Sequence, residues 1–265
     1  MHTLALLRKR FASSGYADVG LFFEREVGSE GKTLRCLVPI AARDEAFLAL
    51  PPTIARQTPH PYEALGAPYG TQRPYCLRKS VVTRLVRAQQ ALETQHPGYR
   101  LHVFDAYRPL AVQEFMIEHE TRKLARNRFR VWGQLTSADR EGLRSEVRCF
   151  WAVPDPDPTR PPPHSTGGAL DLTVIDPRGH PLPMGTPIDH VGPESTAYHF
   201  AEAPDREGKT FHANRQLLNR VMSQAGFHRL PHEWWHFSHG DQWWALLAYL
   251  EGNSDTPQAW YGRYP

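Results

Sequence analysis

Two short segments carry side chains of the kind that bind divalent metal ions, His164-Ser-Thr-Gly-Gly-Ala-Leu-Asp171 and Glu233-Trp-Trp-His236. A catalytic zinc takes three protein ligands with nitrogen or oxygen donors and keeps one position open for water. His164, Asp171 and His236 supply that set as two imidazoles and one carboxylate. Glu233 is then left over, a carboxylate with the chemistry to take a proton from activated water. Gly167 and Gly168 allow the backbone to turn tightly between His164 and the segment bearing Asp171. Arg108 stands in Asp105-Ala-Tyr-Arg-Pro109, just after a strand-like stretch, where a rigid turn would aim it at an oxyanion developing on a carbonyl. Together these residues fill every role of one metallohydrolase site.

Each has an ordinary alternative when taken alone. The chain holds 14 histidines, and His190, His199, His212, His228 and His239 are read as structural. Asp171 would serve equally as a turn or cap residue, Glu233 as a strand-edge charge and Arg108 as the ion-pair partner of Asp105. A rival zinc pattern, H-E-x-x-H, is satisfied by His232-Glu233-Trp-Trp-His236. It needs both histidines one turn apart on a helix, and the Trp-Trp-His-Phe run with Ser-His-Gly behind it has no helical polarity. We therefore read this region as strand.

The elements that must position these groups follow from periodicity. Residues 79–94 repeat apolar side chains at helical spacing, with Val82, Leu85, Val86 and Leu92 on one face and Pro97-Gly98 as the stop. Residues 99–104 alternate as a half-buried strand, and a second helix is expected over 110–127. The basic residues Arg122, Lys123, Arg126, Arg128 and Arg130, interleaved with Phe129 and Trp132, read as a solvated face, because Glu118–Arg122 is a favourable i,i+4 pair. Residues 153–163 hold six prolines and form a stiff loop bordering the site. Further strands are expected at 170–175 and 227–237, with weaker ones at 19–24 and 34–38. Residues 59–74 read as loop, 214–225 as a helix stopped by Gly226, and 241–250 as a capped last helix.

Composition bounds the rest. A length of 265 residues suits one large domain, and 24 prolines are near twice the usual share of about 5%. A net charge of +3 is too slight to argue for nucleic acid, and no run approaches the roughly 18–20 apolar residues of a membrane span. Leu4-Ala-Leu-Leu7 precedes Arg8-Lys-Arg10, which puts the charge on the wrong side for a secretory signal. Cys36, Cys76 and Cys149 are scattered, without CxxC spacing, as expected of a reducing, cytoplasmic setting.

Asp105-Ala-Tyr-Arg-Pro109, the His164–Asp171 segment and Glu233-Trp-Trp-His236 resemble the VanX-type D-alanyl-D-alanine dipeptidases, zinc peptidases related to D,D-carboxypeptidases. The likeness continues through Leu170-Asp-Leu-Thr-Val174 and Pro183-Met-Gly-Thr-Pro-Ile-Asp189 and covers roughly residues 75–240. The resemblance implies an α+β fold, a central antiparallel sheet with flanking helices. It implies a catalytic domain over 59–265, with 1–58 as an N-terminal extension packed on the core and a Pro-rich insertion. It implies one zinc per chain on His164, Asp171 and His236, Glu233 as general base and Arg108 as the transition-state arginine. Asp189 would receive the ammonium group of a small dipeptide through a charge-assisted hydrogen bond; its ordinary alternative is a loop carboxylate facing water. Pro162 replaces the serine usual two residues before the first ligand, and the family's N-terminal tyrosine segment has no close match, residues 56–62 included. The expected activity is hydrolysis of D-Ala-D-Ala or a similar dipeptide. A carboxypeptidase acting on cell-wall peptides and a non-catalytic zinc-stabilised binding module are the alternatives, and a homo-oligomer is compatible with each.

Overall fold

The strand Ala169–Ile175 sorts the molecule into a packed side and a chemical side. The computed structural model describes residues 2–128, 131–148 and 151–264; Phe129, Arg130 and Cys149 lie outside them. In chain order the elements are α1 (His2–Ser13), α2 (Val19–Phe22), α3 (Gly31–Leu34), β1 (Phe47–Ala49), β2 (Ala55–Arg56), α4 (Pro61–Ala64), β3 (Cys76–Arg78) and α5 (Lys79–Gln95). There follow β4 (Arg100–Asp105), α6 (Leu110–Asn127), α7 (Ser137–Arg148), β5 (Ala169–Ile175), α8 (Arg206–Gln224), β6 (His228–Arg229), β7 (His236–Ser238) and α9 (Gln242–Leu250). The main sheet runs β2-β4-β5-β7-β6. It is antiparallel from β4 to β6, and β2 joins β4 in parallel at one edge. The class is α+β, as expected.

Side chains alternate across a strand, and the apolar half of each central strand faces α5 and α8. Leu101 and Val103 of β4, Leu170, Leu172 and Val174 of β5 and Phe237 of β7 form one core with Leu85 and Leu92 of α5 and Leu218, Val221 and Met222 of α8. The intervening residues Asp171, His236 and Ser238 are thereby turned to the other side, where no helix of that pair covers them. A second core joins α1 and residues 19–27 to α9 through Leu4, Leu7, Phe22, Phe23, Trp243, Leu246 and Leu250.

Four expectations need correction. Residues 19–24 are helical rather than extended: Asp18 caps the turn by accepting from Leu21 N at 2.9 Å, and Val19, Phe22, Phe23 and Val27 are buried at helical spacing. Residues 34–38 end α3 and form a 3-10 turn, leaving Val38 extended. The segment 227–237 is a hairpin, with β6 and β7 separated by a turned loop that Pro231 opens. Helix α8 starts at Arg206, eight residues before the expected 214, because Asp205 caps it by accepting from Gly208 N; its first turn buries only Gly208, so the apolar periodicity begins further along. Helix α7 shows little signal in the sequence, since Leu143 and Val147 alone are buried on it.

Candidate metal centre and catalytic cleft

Register brings the proposed ligands together. Asp171 of β5 stands directly opposite His236 of β7, and directly opposed residues in an antiparallel pair share a face. His164 arrives from the neighbouring 3-10 turn Pro163–Thr166, which ends at Gly167 with φ +70°. A Cβ at Gly167 would lie 2.2 Å from the Phe47 ring and one at Gly168 2.7 Å from the His239 carbonyl, so the turn admits glycine only. His164 Nε2 lies 3.1 Å from His236 Nδ1 and 3.3 Å from Asp171 Oδ2, and His236 Nδ1 is 3.0 Å from Asp171 Oδ1. Zinc bonds of about 2.0–2.1 Å at tetrahedral angles put neighbouring ligand atoms roughly 3.3 Å apart. The triangle fits.

The outer nitrogens are spoken for. His164 Nδ1–H donates to the Ala106 carbonyl at 2.7 Å. His236 Nε2–H donates to Ser238 Oγ at 3.2 Å, and that hydroxyl donates to Asp241 Oδ2 at 2.7 Å. Both imidazoles are therefore fixed in the tautomer that leaves a bare lone pair facing the centre. Burial alone would push the Asp171 carboxyl up; His164 and His236 outweigh it and hold it well below the ordinary carboxylate range. Burial works against charge on His236 too, but Asp171 raises it above the usual histidine value.

A bulge sets Arg108. Pairing of β4 with β5 shifts between Val103 and Asp105, so that Asp105 rather than Phe104 stands opposite Asp171. Asp105 is fully buried and accepts from Arg108 Nη2 at 2.8 Å, Arg108 Nε at 3.0 Å and His60 Nε2 at 3.1 Å. Arg108 Nη1 donates to Gln113 at 3.0 Å, and Nη2 also reaches Tyr62 OH at 3.1 Å and Asp171 Oδ2 at 3.4 Å. The Arg108–Asp105 pair expected as the ordinary alternative is present, and it aims the guanidinium at the centre.

Asp189 lies beyond Arg108. It is the one described non-glycine residue with positive φ, at +63°, and such strain is tolerated where the surroundings impose it. Its Oδ2 accepts from Tyr62 OH at 2.8 Å. Burial pushes its carboxyl up to about 8 despite the attraction of Arg108. On the opposite side Glu233 sits in the loop between β6 and β7, 24% exposed, its carboxylate 3.7 Å from His236 Nδ1. Burial raises it above the ordinary glutamate value, against the pull of His236. His164, Asp171, His236, Arg108, Asp189 and Glu233 line one cavity of about 590 Å³, bordered by Pro162 and Pro163 of the proline-rich loop.

The rival helical motif is absent: His232 is in the loop and its Nε2–H donates to the Gly28 carbonyl at 3.0 Å. His228 and His239 lie elsewhere, each pushed down to about 4 by burial. His190 borders the cavity, 3.4 Å from Glu194. Tyr62 reaches the site without a sequence signal, since residues 56–62 match no motif. The fold brings it there through α4, which His60 caps by accepting from Tyr62 N and Glu63 N. The basic face of α6 is solvated, with Arg122 on Glu118, Lys123 on Glu120 and Arg128 on Glu146.

Residues 55–253 match a peptidase M15 family model described as D-Ala-D-Ala dipeptidase. A D-alanyl-D-alanine dipeptidase of Synechocystis sp. is 43% identical over 213 residues, covering 77% of this chain and 85% of that protein. One from Escherichia coli is 30% identical over 171 residues, covering 63% and 68%. A solved structure described as VanYB in complex with D-alanine-D-alanine is 11% identical, covers 83% of this chain and 93% of its own, and has a TM-score of 0.42. That last likeness is too slight to carry an argument.

Proposed function

The chain belongs to the D-Ala-D-Ala dipeptidase family of M15 peptidases, and from that premise we propose how its own residues perform the hydrolysis of D-Ala-D-Ala. The observation that carries the reading is the order of groups along the cleft. Asp189 contacts Tyr62, Tyr62 contacts Arg108, Arg108 reaches Asp171, and the trio of Asp171, His164 and His236 leads on to Glu233. A dipeptide laid along it presents its ammonium to Asp189, its scissile carbonyl to Arg108 and the trio, and its leaving nitrogen to Glu233.

One zinc on His164, Asp171 and His236 would supply Lewis acidity at the carbonyl and a lowered pKa for water. Tyr62 and Asp189 receive the substrate's ammonium; Asp189, neutral in the free cleft, ionises as the cation binds beside it. Glu233 takes the proton from the attacking water, and its raised affinity for protons suits delivery of the same proton to the leaving amine. Arg108 donates to the oxyanion as it forms, already oriented by Asp105 and Gln113. The ammonium end is bordered by Trp151, 6% exposed, and backed by the buried Tyr62 bonded to Asp189, which supports a dipeptide over a longer chain extended past its amino end.

No helix among the described residues is long and apolar enough to cross a membrane. The reading includes a cytoplasmic setting, supported by the free thiols of Cys36 and Cys76. The test is release of D-alanine from D-Ala-D-Ala by the purified protein, with and without chelator. Chelator-sensitive release is expected; no release from folded, zinc-loaded protein overturns the substrate.

A further inference from the structure

The loop that carries Asp189 is closed on itself by one side chain from α8. Arg215 is fully buried, and each of its guanidinium nitrogens donates to a backbone carbonyl of that loop. Nε donates to Met184 at 2.8 Å, Nη2 to Glu194 at 2.9 Å and Nη1 to Thr196 at 2.7 Å. Asp189 stands midway between Met184 and Glu194, at the crown of the hoop so formed. The adjacent Asn214 donates to the Pro183 carbonyl at 2.8 Å, and Ser195 Oγ–H crosses the hoop to the His190 carbonyl at 2.6 Å. Two aromatic rings hold the guanidinium, the Phe200 centroid 4.7 Å and the Trp234 centroid 5.5 Å from Cζ. Trp234 also ties the hoop directly. Its backbone N–H donates to the Ser195 carbonyl at 2.9 Å and its Nε1–H to Thr186 Oγ1 at 2.8 Å.

A buried cation is costly unless good acceptors meet it, and carbonyls of one loop meet it only while that loop keeps its shape. The planar fork of a guanidinium fixes the directions of its bonds, so it sets the spacing between the two feet of the hoop. Between those feet Asp189 keeps φ +63°, a conformation that persists only where the surroundings over-determine it. A loop free to sample other shapes would give up that freedom at each binding event, which weakens affinity.

We propose that Arg215 is a positioning residue for the amino end of the substrate: by spanning the feet of the hoop it holds Asp189 where the ammonium is received. The assignment rests on the dipeptidase reading above and on the role of Asp189 in it. Arg215 is not among the residues that line the cavity, so its effect reaches the substrate through Asp189.

The experiment is a double-mutant cycle, read as KM and kcat for D-Ala-D-Ala in the zinc-loaded full chain. Arg215→Lys keeps the charge but replaces the planar fork with a single nitrogen, which cannot span both feet in the same geometry. KM should rise about 3- to 30-fold, less than on removal of the Asp189 charge, while kcat and zinc content change little. In an Asp189→Asn background the same substitution should leave KM nearly unaltered. Phe200→Leu strips one ring from the guanidinium and should move KM the same way by a smaller factor, again only where Asp189 is intact. It decides the matter if Arg215→Lys does not fold. An unchanged KM in the folded variant, a rise of equal size in both backgrounds, or a loss confined to kcat overturns the assignment. If Asp189→Asn alone leaves KM unaltered, the role of Asp189 is overturned and that of Arg215 with it. No cleavage by the wild type overturns the dipeptidase reading itself, and both roles fall with it.

Discussion

Asp189 is held at φ +63° with its Oδ2 2.8 Å from Tyr62 OH. Glu233 rides in a loop, 24% exposed, and approaches its nearest imidazole nitrogen only to 3.7 Å. Burial raises the proton affinity of both, yet the two ends of the cleft are built in opposite ways. A group that receives a standing charge works best pre-set, because any motion in it is paid for at binding. A group that carries a proton from water to a leaving nitrogen must serve two positions. The difference divides the kinetics: the Asp189 end should act on KM and the Glu233 end on kcat.

The sharpest way to break this division is to remove what stands between the ends. His164→Ala takes one corner from the ligand triangle, and zinc content should fall well below one per chain while turnover drops to background. Stoichiometric zinc in that variant, measured by elemental analysis, would refute His164 as a ligand. Glu233→Ala should do the reverse: zinc is retained, dipeptide affinity changes little and kcat falls by about 10²–10⁴-fold, the usual worth of a general acid–base group. Near wild-type turnover would remove Glu233 from the mechanism.

Asp189→Asn tests the holding end. Asparagine adopts positive φ readily, so the backbone is kept and the charge alone is lost. KM should rise about 10- to 100-fold, with kcat much less affected. The same variant carries a stability signature. Asp189 is neutral in the folded protein up to about 8 but ionises near 4 when unfolded. Its favourable contribution is therefore complete below about pH 4 and is lost as pH rises toward 8. The asparagine side chain does not titrate and has no such loss, so the Tm of Asp189→Asn should exceed that of wild type by a margin that grows between pH 4 and 8, read by calorimetry in the same metal state. A margin independent of pH would mean that the carboxylate is not desolvated.

What the sequence made legible follows the same division. That His164, Asp171, Glu233 and His236 converge on one cavity is legible because their types and close spacing suggest one joint use, and the register of β5 with β7 places Asp171 and His236 side by side. Arg108 is readable from its motif, but the reason it points inward is not. That depends on the bulge between Val103 and Asp105, which is set by pairing across β4 and β5 rather than by any local signal. Tyr62 comes from a segment far from the motifs in sequence and meets Asp189 and Arg108 only through the short helix that His60 caps. The short turns of residues 19–37 misled for a related reason. Their buried side chains satisfy helical spacing over too few residues to outweigh an apparent alternation, and packing on α9 decides them.

Tyr62→Phe is the smallest change expected to register and the one that tests the holding end most finely. The phenol donates to Asp189 at 2.8 Å and accepts from Arg108 at 3.1 Å, so its loss touches both neighbours. Without that donor Asp189 is raised further, because Tyr62 is one of the groups opposing burial there. KM should rise roughly 3- to 10-fold, in keeping with a single hydrogen bond of about 0.5–1.5 kcal/mol. If the phenol acts through Asp189, this rise should largely vanish in an Asp189→Asn background, since groups in direct contact do not contribute additively. Full additivity of the two losses would assign Tyr62 to Arg108 instead. The loss would then fall on kcat, and the ammonium would be held by Asp189 alone.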